Sequence, residues 1–260
     1  MTAPPTFGAT ERAAHSYRRH RPDYPAELFQ WLAAIAPGTA CCWDAGTGSG
    51  QAAARLTEHF GTVVASDVSV GQLRAMAQQP GIVPVVSRAE GAPLRAGSVD
   101  LVTAAQALHW FQRDAFYREA DRVLRPGGVL AAWTYGPPEL EDNTLHGRLR
   151  TFYAERVGPF WPPERQLVEE GYRSVTLPYP AVDAPSLVLE KHWTLPELLG
   201  YVGTWSAVAA FREACRSDPR DELKRSLGEV WGAPDQPRRI LWPLSIRAGR
   251  KPGPSAGGPG

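Results

Sequence analysis

The stretch Asp44-Ala45-Gly46-Thr47-Gly48-Ser49-Gly50 constrains this chain more than any other. A short apolar run, Thr39 to Trp43, leads into it, and a helix-forming run, Gln51-Ala52-Ala53-Ala54-Arg55-Leu56, leads out. That is a strand, a tight glycine turn and a helix start. Glycine in such a turn permits positive φ and lets a ligand approach the backbone. The helix N-terminus behind it presents free N–H groups. The pattern is D-x-G-x-G-x-G rather than the dinucleotide pattern G-x-G-x-x-G, because Gln51 stands where the third glycine would fall. An acid ahead of the first glycine repels a pyrophosphate and attracts a cationic amino group. The loop therefore favours a ligand with a zwitterionic amino-acid end over one with two phosphates. Taken alone, a tight turn with no ligand is the competing reading.

A second strand, Thr62 to Asp67, ends in a carboxylate about twenty residues beyond the loop, the offset at which such folds place a ribose-binding acid. A carboxylate accepts two hydrogen bonds from a vicinal diol. The alternative for Asp67 is an N-cap for the helix beginning near Val70, a task Ser69 can also perform. Further motifs follow in order: Ala89-Glu90-x-x-Pro93-Leu94, Val99-Asp100-Leu101-Val102 and Leu124-Arg125-Pro126-Gly127-Gly128. On these motifs the stretch from about Tyr17 to Trp133 resembles a class I S-adenosylmethionine (SAM)-dependent methyltransferase with a type-11 domain. Arg21-Pro22-x-Tyr24-Pro25 and Gln106-Ala107-Leu108-His109-Trp110-Phe111 resemble the trans-aconitate methyltransferase-like subgroup.

The resemblance implies an α/β fold. Its Rossmann-like, doubly wound, seven-stranded sheet would be mostly parallel with an antiparallel last strand, a helical insert and an N-terminal helical cap. It implies SAM as cofactor and S-adenosylhomocysteine (SAH) as product. Asp44 is then expected at the donor's amino group, directly or through water, with Gly46, Thr47 and Gly48 passing close to its methionine and ribose parts. Asp67 takes the ribose hydroxyls, and Val68 packs on the adenine. The adenine-edge position falls on Ala89 (through its backbone) and Glu90, since Arg88 stands where a common family version has an acid. Gln106 and Ala107 are expected under the donor, and Tyr17 and Arg21 over its carboxylate, which matches the guanidinium fork. His109 is expected to face the reaction centre as the catalytic residue, because histidine is readily poised as a base near neutral pH; the alternative is a structural cap for the next helix.

Nine tryptophans are a heavy load, and several fall in or near the segment after the fifth strand. Aromatic walls suit a mostly apolar small molecule, so Tyr24, Trp110, Trp133, Tyr135 and Trp205 are candidate acceptor-binding residues; ordinary core packing is the alternative for each. The expected acceptor is a small molecule, a secondary metabolite or a small acid. Three rivals differ in kind. A SAM-fold protein that catalyses a cyclisation or isomerisation without transfer is separable only by product mass. A nicotinamide oxidoreductase is opposed by Asp44 and Gln51, and a non-catalytic interaction module by the intact loop and ribose acid.

A hydrophobic content of 43% supports a core, and a net charge of +1 argues against nucleic acid as partner. No apolar run reaches membrane-span length, and residues 1–8 carry no signal pattern and are expected to be disordered. Three cysteines, two of them adjacent, do not form a disulfide framework, which points to a reducing cytoplasm. The six histidines show no metal-ligand spacing. A monomer or homodimer is expected. A single domain over 9–248 is predicted, with a core at 38–135, an insert at about 136–232, a last strand at 238–248 and a flexible tail at 249–260. Helices are predicted over 9–20 and 26–36, and strands alternate with helices from Thr39 to Thr134, which implies right-handed crossovers. A helix over 140–157 and a strand over 182–191 are expected in the insert.

Overall fold

The computed structural model describes residues 20–76 and 79–253. The expected stretch 1–8, Tyr17 and all but the last residue of the 9–20 helix lie outside the described residues. Five strands run parallel: β1 Cys41–Ala45, β2 Thr62–Asp67, β3 Ile82–Val86, β4 Val99–Ala105 and β5 Leu124–Tyr135, in spatial order β3-β2-β1-β4-β5. Three more segments complete the sheet: β6 Glu139–Leu140, β7 Val188–Trp193 and β8 Arg238–Arg250. β8 runs antiparallel to β5, β6 and β7. Ile240 and Leu241 pair with Leu140 and Glu139 and also with Lys191 and Glu190, so β6 and β7 lie on opposite edges of β8. β6 thus continues the line of β5, and eight segments make a sheet seven strands wide.

Alternation along the strands divides the core. Cys42, Val63, Ala65, Leu101 and Trp133 face one apolar cluster, and Trp43, Val64, Val102, Ala104 and Ala132 face the other. Early helices α1 Ala26–Ile35 and α2 Gln51–Leu56 pack in the first cluster. A short α3, Val70–Ala75, follows β2, with Ser69 accepting the Gln72 N–H as its cap. α4, Arg113–Val123, packs in the second cluster through Phe116, Ala120 and Val123. The chain therefore leaves β1 for one face and β4 for the other. These two strands are neighbours, which is the condition for a ligand crevice at their C-terminal ends. At the opposite end, buried Asp100 accepts the Cys41 N–H at 3.0 Å and pairs with Arg125 at 2.9 Å. That contact explains the Val99-Asp100 motif as an anchor of the sheet.

The insert is helical. α5 Asn143–Thr151 runs on into a π-helical turn, Phe152–Arg156, and is followed by α6 Arg165–Glu169, α7 Leu195–Val202, α8 Ser206–Cys215 and α9 Arg220–Trp231. The insert crosses the end of the sheet: Leu145, Leu149, Tyr153, Tyr201 and Trp205 join the first cluster, whereas Val168, Tyr172 and Val175 join the second. The boundaries differ from expectation at three places. α5 starts at Asn143 because Asp142 caps it and Leu140 pairs with β8. The 182–191 strand appears instead as Val188–Trp193. Residues 249 and 250, expected in the tail, stay in β8 because β5 extends back far enough for Leu130 and Val129 to pair with them.

Candidate active site

The glycine loop leaves β1 and is stitched to the end of β2. Thr47 N–H donates to the Ser66 carbonyl at 2.9 Å, and Gly48 N–H donates to Asp67 Oδ2 at 2.9 Å. Asp67 Oδ1 accepts the Ser69 N–H at 2.8 Å. Loop and carboxylate are one unit. Each Asp67 oxygen still has a lone pair to offer after its backbone bond. Burial pushes the Asp67 carboxyl up, against these N–H bonds.

The glycines divide their work. At Gly46, φ is +66° and a Cβ would lie 2.7 Å from Ala107 Cβ and 2.9 Å from Phe111 Cζ, so this residue is where the turns after β1 and β4 touch. At Gly48, φ is +56° and a Cβ would meet nothing within 4 Å. The open side of the loop is therefore at Gly48, next to Asp67. Val68 follows and is 55% exposed, an apolar wall without a protein partner covering it. Ser49 is buried in the loop, and its hydroxyl has no hydrogen-bond partner among the described residues.

Asp44 sits differently from expectation. It is fully buried beneath the loop, where Oδ2 accepts from Thr47 Oγ1 at 2.6 Å and Oδ1 from Thr103 Oγ1 at 2.7 Å. Burial pushes its carboxyl up to about 6 against these two hydroxyl bonds, with a smaller upward push from Asp67. The side chain supports the loop from below instead of facing its open side. Asp44 and Asp67 nevertheless project from the same face of the sheet, since Asp44 pairs with Ala65, two residues before Asp67.

The turn after β4 forms the second wall. Gln106 adopts φ +53°, and its amide is tied to β5: Nε2 donates to the Tyr135 carbonyl at 3.0 Å, and Oε1 accepts from Thr134 Oγ1 at 2.7 Å. These bonds fix the turn to β5. Ala107 is buried against Gly46. Glu90 is likewise engaged, its Oε1 accepting the Gln112 N–H at 2.8 Å just before α4, while Ala89 is buried.

His109 lies in a 3-10 turn, Leu108–Trp110, with α4 starting three residues later behind Gln112, so it does not cap that helix. Its Nδ1 is 2.9 Å from the Tyr172 hydroxyl, and Trp110 lies against its ring at 4.9 Å. Burial, aided by the Arg165 charge, pushes its pKa down to about 3. The ring is neutral at physiological pH. A base poised near neutrality was expected, and the buried, cation-flanked setting explains the difference.

The aromatic candidates separate into two groups. Tyr24 packs edge-on to Trp133 at 5.6 Å and to Tyr135 at 6.4 Å, beside Arg21, which donates from Nη1 to the Tyr135 hydroxyl at 3.3 Å. Trp205 instead joins Tyr153 at 5.4 Å and Trp161 at 5.7 Å in the insert. Trp133, Tyr135 and Trp205 are all buried. Tyr172, Arg165 and Tyr153 were not anticipated. The aromatic, proline-rich run Pro159-Phe160-Trp161-Pro162-Pro163 beside them is the sequence feature that could have marked the region. Two surface clefts, of about 230 and 280 Å3, lie elsewhere, against α5 and α9 and against Trp193 and Glu197.

An open, doubly wound α/β sheet with a loop–carboxylate cradle at its switch point defines a class of proteins that hold a nucleoside-bearing ligand at the C-terminal edge. The comparisons narrow this class. A methyltransferase-domain family profile matches residues 43–132. The chain is similar to a candidate methyltransferase of Dictyostelium discoideum, 32% identical over 241 residues, covering 90% of this chain and 89% of that one. It is similar to the malonyl-[acyl-carrier protein] O-methyltransferase of Methylococcus capsulatus, 30% identical over 227 residues, with 85% and 80% covered. A solved structure of a candidate type II methyltransferase from Anaeromyxobacter dehalogenans superposes with a TM-score of 0.83 at 43% identity, covering 89% of this chain and 99% of that one. The chain belongs to this family of class I SAM-dependent methyltransferases. SAM is its cofactor, and an open Gly48, an available Asp67, an exposed Val68 and an orphaned Ser49 hydroxyl fit it. Among the described residues, no helix is long and apolar enough to cross a membrane, and no cluster of metal-ligating side chains occurs.

Proposed function

We propose that the protein methylates a small-molecule acceptor, a secondary metabolite or a small acid, in a reducing cytoplasm. The observation that carries the reading is the single unit formed by Gly48 and Asp67, open on one side and closed by protein on the other. When bound, SAM supplies a methyl group already activated by the sulfonium charge, so no covalent nucleophile is required of the protein. The protein must hold two molecules in line and exclude water. In this reading Asp67 grips the ribose hydroxyls with the lone pairs left over from Gly48 and Ser69. Gly48 lets the ligand pass the loop, and Val68 covers the adenine with help from the Ala89 backbone. Asp44 supplies negative charge from beneath the loop toward the amino end. Arg21, together with Tyr17, closes over the carboxylate. Gly46 and Ala107 form the floor under the reacting centre, and Gln106 keeps that floor rigid.

His109 works here as a neutral, oriented imidazole. Its Nδ1 is held by Tyr172, which leaves Nε2 as the ring's remaining polar atom. Tyr24, Trp110, Trp133, Tyr135 and Trp205 wall the acceptor side. The 21–25 and 106–111 motifs carry the likeness to the trans-aconitate methyltransferase-like subgroup. Isothermal titration tests the donor site: SAM and SAH should bind, and Asp67→Ala should weaken SAM by about 1–3 kcal/mol, the value of lost charge-assisted hydrogen bonds. Unchanged affinity in the variant means the ribose is held elsewhere. Product mass with one added methyl separates transfer from a rearrangement.

A further inference from the structure

We propose that Arg165 is the acceptor-specificity residue, its guanidinium, packed against Trp161 and Tyr153 and facing the His109 side of the site, receiving a carboxylate on an otherwise apolar, flat acceptor. This rests on the methyltransferase reading above and names the acceptor's chemistry at the same site. The guanidinium carbon lies 4.6 Å from the Trp161 ring centroid and 5.7 Å from that of Tyr153. Nε donates to the Tyr153 hydroxyl at 2.9 Å, and that hydroxyl donates on to Glu169 at 2.7 Å. Arg165 is half-buried, yet no carboxylate among the described residues lies within 4.0 Å of it, whereas ten other described arginines and lysines are in direct ion pairs. An arginine carries five N–H donors, so the outer edge of this one is unspent. That edge is the planar fork that binds a carboxylate with two parallel bonds.

The surroundings specify the rest of the acceptor. Trp161 and Tyr153, which pack against the guanidinium, join Trp205 in one aromatic cluster, with Tyr153–Trp161 centroids 4.9 Å apart. Arg165 is close enough to His109 for its charge to act on the ring, and α6, which carries it, packs on the turn that carries His109. The Tyr117 hydroxyl, buried and without a hydrogen-bond partner among the described residues, acts on Tyr172 from α4. Cation, neutral imidazole and unspent hydroxyl thus converge where the insert meets the β4 turn. A carboxylic acid is already ionised at neutral pH and brings no proton to remove, which agrees with a histidine held far below the range of a useful base. A neutral acceptor would leave the Arg165 charge half-desolvated and unpaired.

The test is calorimetry and tryptophan fluorescence on the full chain with SAH bound, with cinnamate and octanoate as probes and methyl cinnamate as the uncharged control. Cinnamate should bind and quench fluorescence, and the ester should bind at least tenfold more weakly. Arg165→Met should lose at least tenfold in cinnamate affinity with the SAH Kd unchanged, and Arg165→Lys should recover part of the loss. Equal binding of acid and ester, undiminished cinnamate binding in Arg165→Met, or no binding of either acid at millimolar concentration overturns the proposal while the SAH-binding reading stands. Failure of SAH itself to bind overturns that reading instead.

Discussion

Two residues in the loop carry opposite demands. Asp44 is buried with its carboxyl pushed up to about 6 from an ordinary 3.8, so between these values the folded protein keeps a proton the unfolded chain has released. Stability contributed by this group is complete below about pH 4 and is lost as pH rises through about 6. The difference, 6 − 3.8, corresponds to roughly 3 kcal/mol. Asp44→Asn keeps the shape and removes the charge. Urea melts of the ligand-free protein should show the variant more stable than wild type by up to about 3 kcal/mol near pH 8 and equal to it near pH 4, while its SAM affinity falls. A variant with wild-type stability at both pH values refutes the buried-charge argument. The glycines make a matched pair. Gly46→Ala adds the cost of positive φ, about 1–2 kcal/mol, to a clash with Ala107 and Phe111, whereas Gly48→Ala adds the φ cost alone. Denaturation should therefore rank Gly46→Ala as the more damaging, and titration should show Gly48→Ala losing SAM affinity beyond its stability loss. The place of Asp67 beside the loop was legible because an acid at a strand end is a local feature. The hydrogen bonds of Glu90 and Gln106 were not, because their partners Gln112 and Thr134 are set by strand register and turn geometry.

At the scale of elements, sequence reading succeeded where one segment decides its own structure. α7, Leu195–Val202, is such a segment: Thr194 and Glu197 form a reciprocal capping box ahead of an apolar face. β2 falls on its expected span, a run of β-branched residues closed by a turn. The insert resisted because its contacts are long-range: Tyr153, Trp161 and Trp205 meet only after α5 has bent through a π-helical turn, and no local pattern announces that turn. Such turns are rare and favour functional positions. This one brings Tyr153 to Arg165. The helix that leads into it starts at Asp142, whose Oδ1 accepts the N–H groups of Thr144 at 2.8 Å and Leu145 at 2.9 Å. Asp142→Ala should lower stability by about 1 kcal/mol, the usual value of a lost N-cap. The SAM Kd should not change, because the cap lies far along the chain from the loop. A loss of donor affinity in this variant indicates that the insert and the donor crevice are coupled.

The molecule as a whole joins a largely parallel sheet core and a helical insert. Parallel strands β1, β2, β4 and β5, buried on both faces, carry the loop and its carboxylate, and the sheet continues through β8 into the insert, the proposed acceptor side. This division explains why the sequence revealed cofactor chemistry but not the acceptor. The donor cradle is built from residues on neighbouring strand ends, whereas the proposed acceptor side is assembled from the β4 turn and the α6–Tyr172 segment, more than fifty residues apart in sequence. A ligand that binds the folded state alone stabilises it by RT ln(1 + [L]/Kd), about 2.7 kcal/mol at a hundredfold excess over Kd. For a chain of this length each kcal/mol moves Tm by about 2–4 °C. SAH at that excess should therefore raise Tm by about 5–10 °C. NAD at equal concentration should leave it unchanged, because its pyrophosphate would sit over Asp44 and a loop that lacks the third glycine. Cinnamate should add a further rise when SAH is present. A shift with NAD and none with SAH would reverse the assignment of the crevice, since the same loop and the same Asp67 would then be serving a dinucleotide.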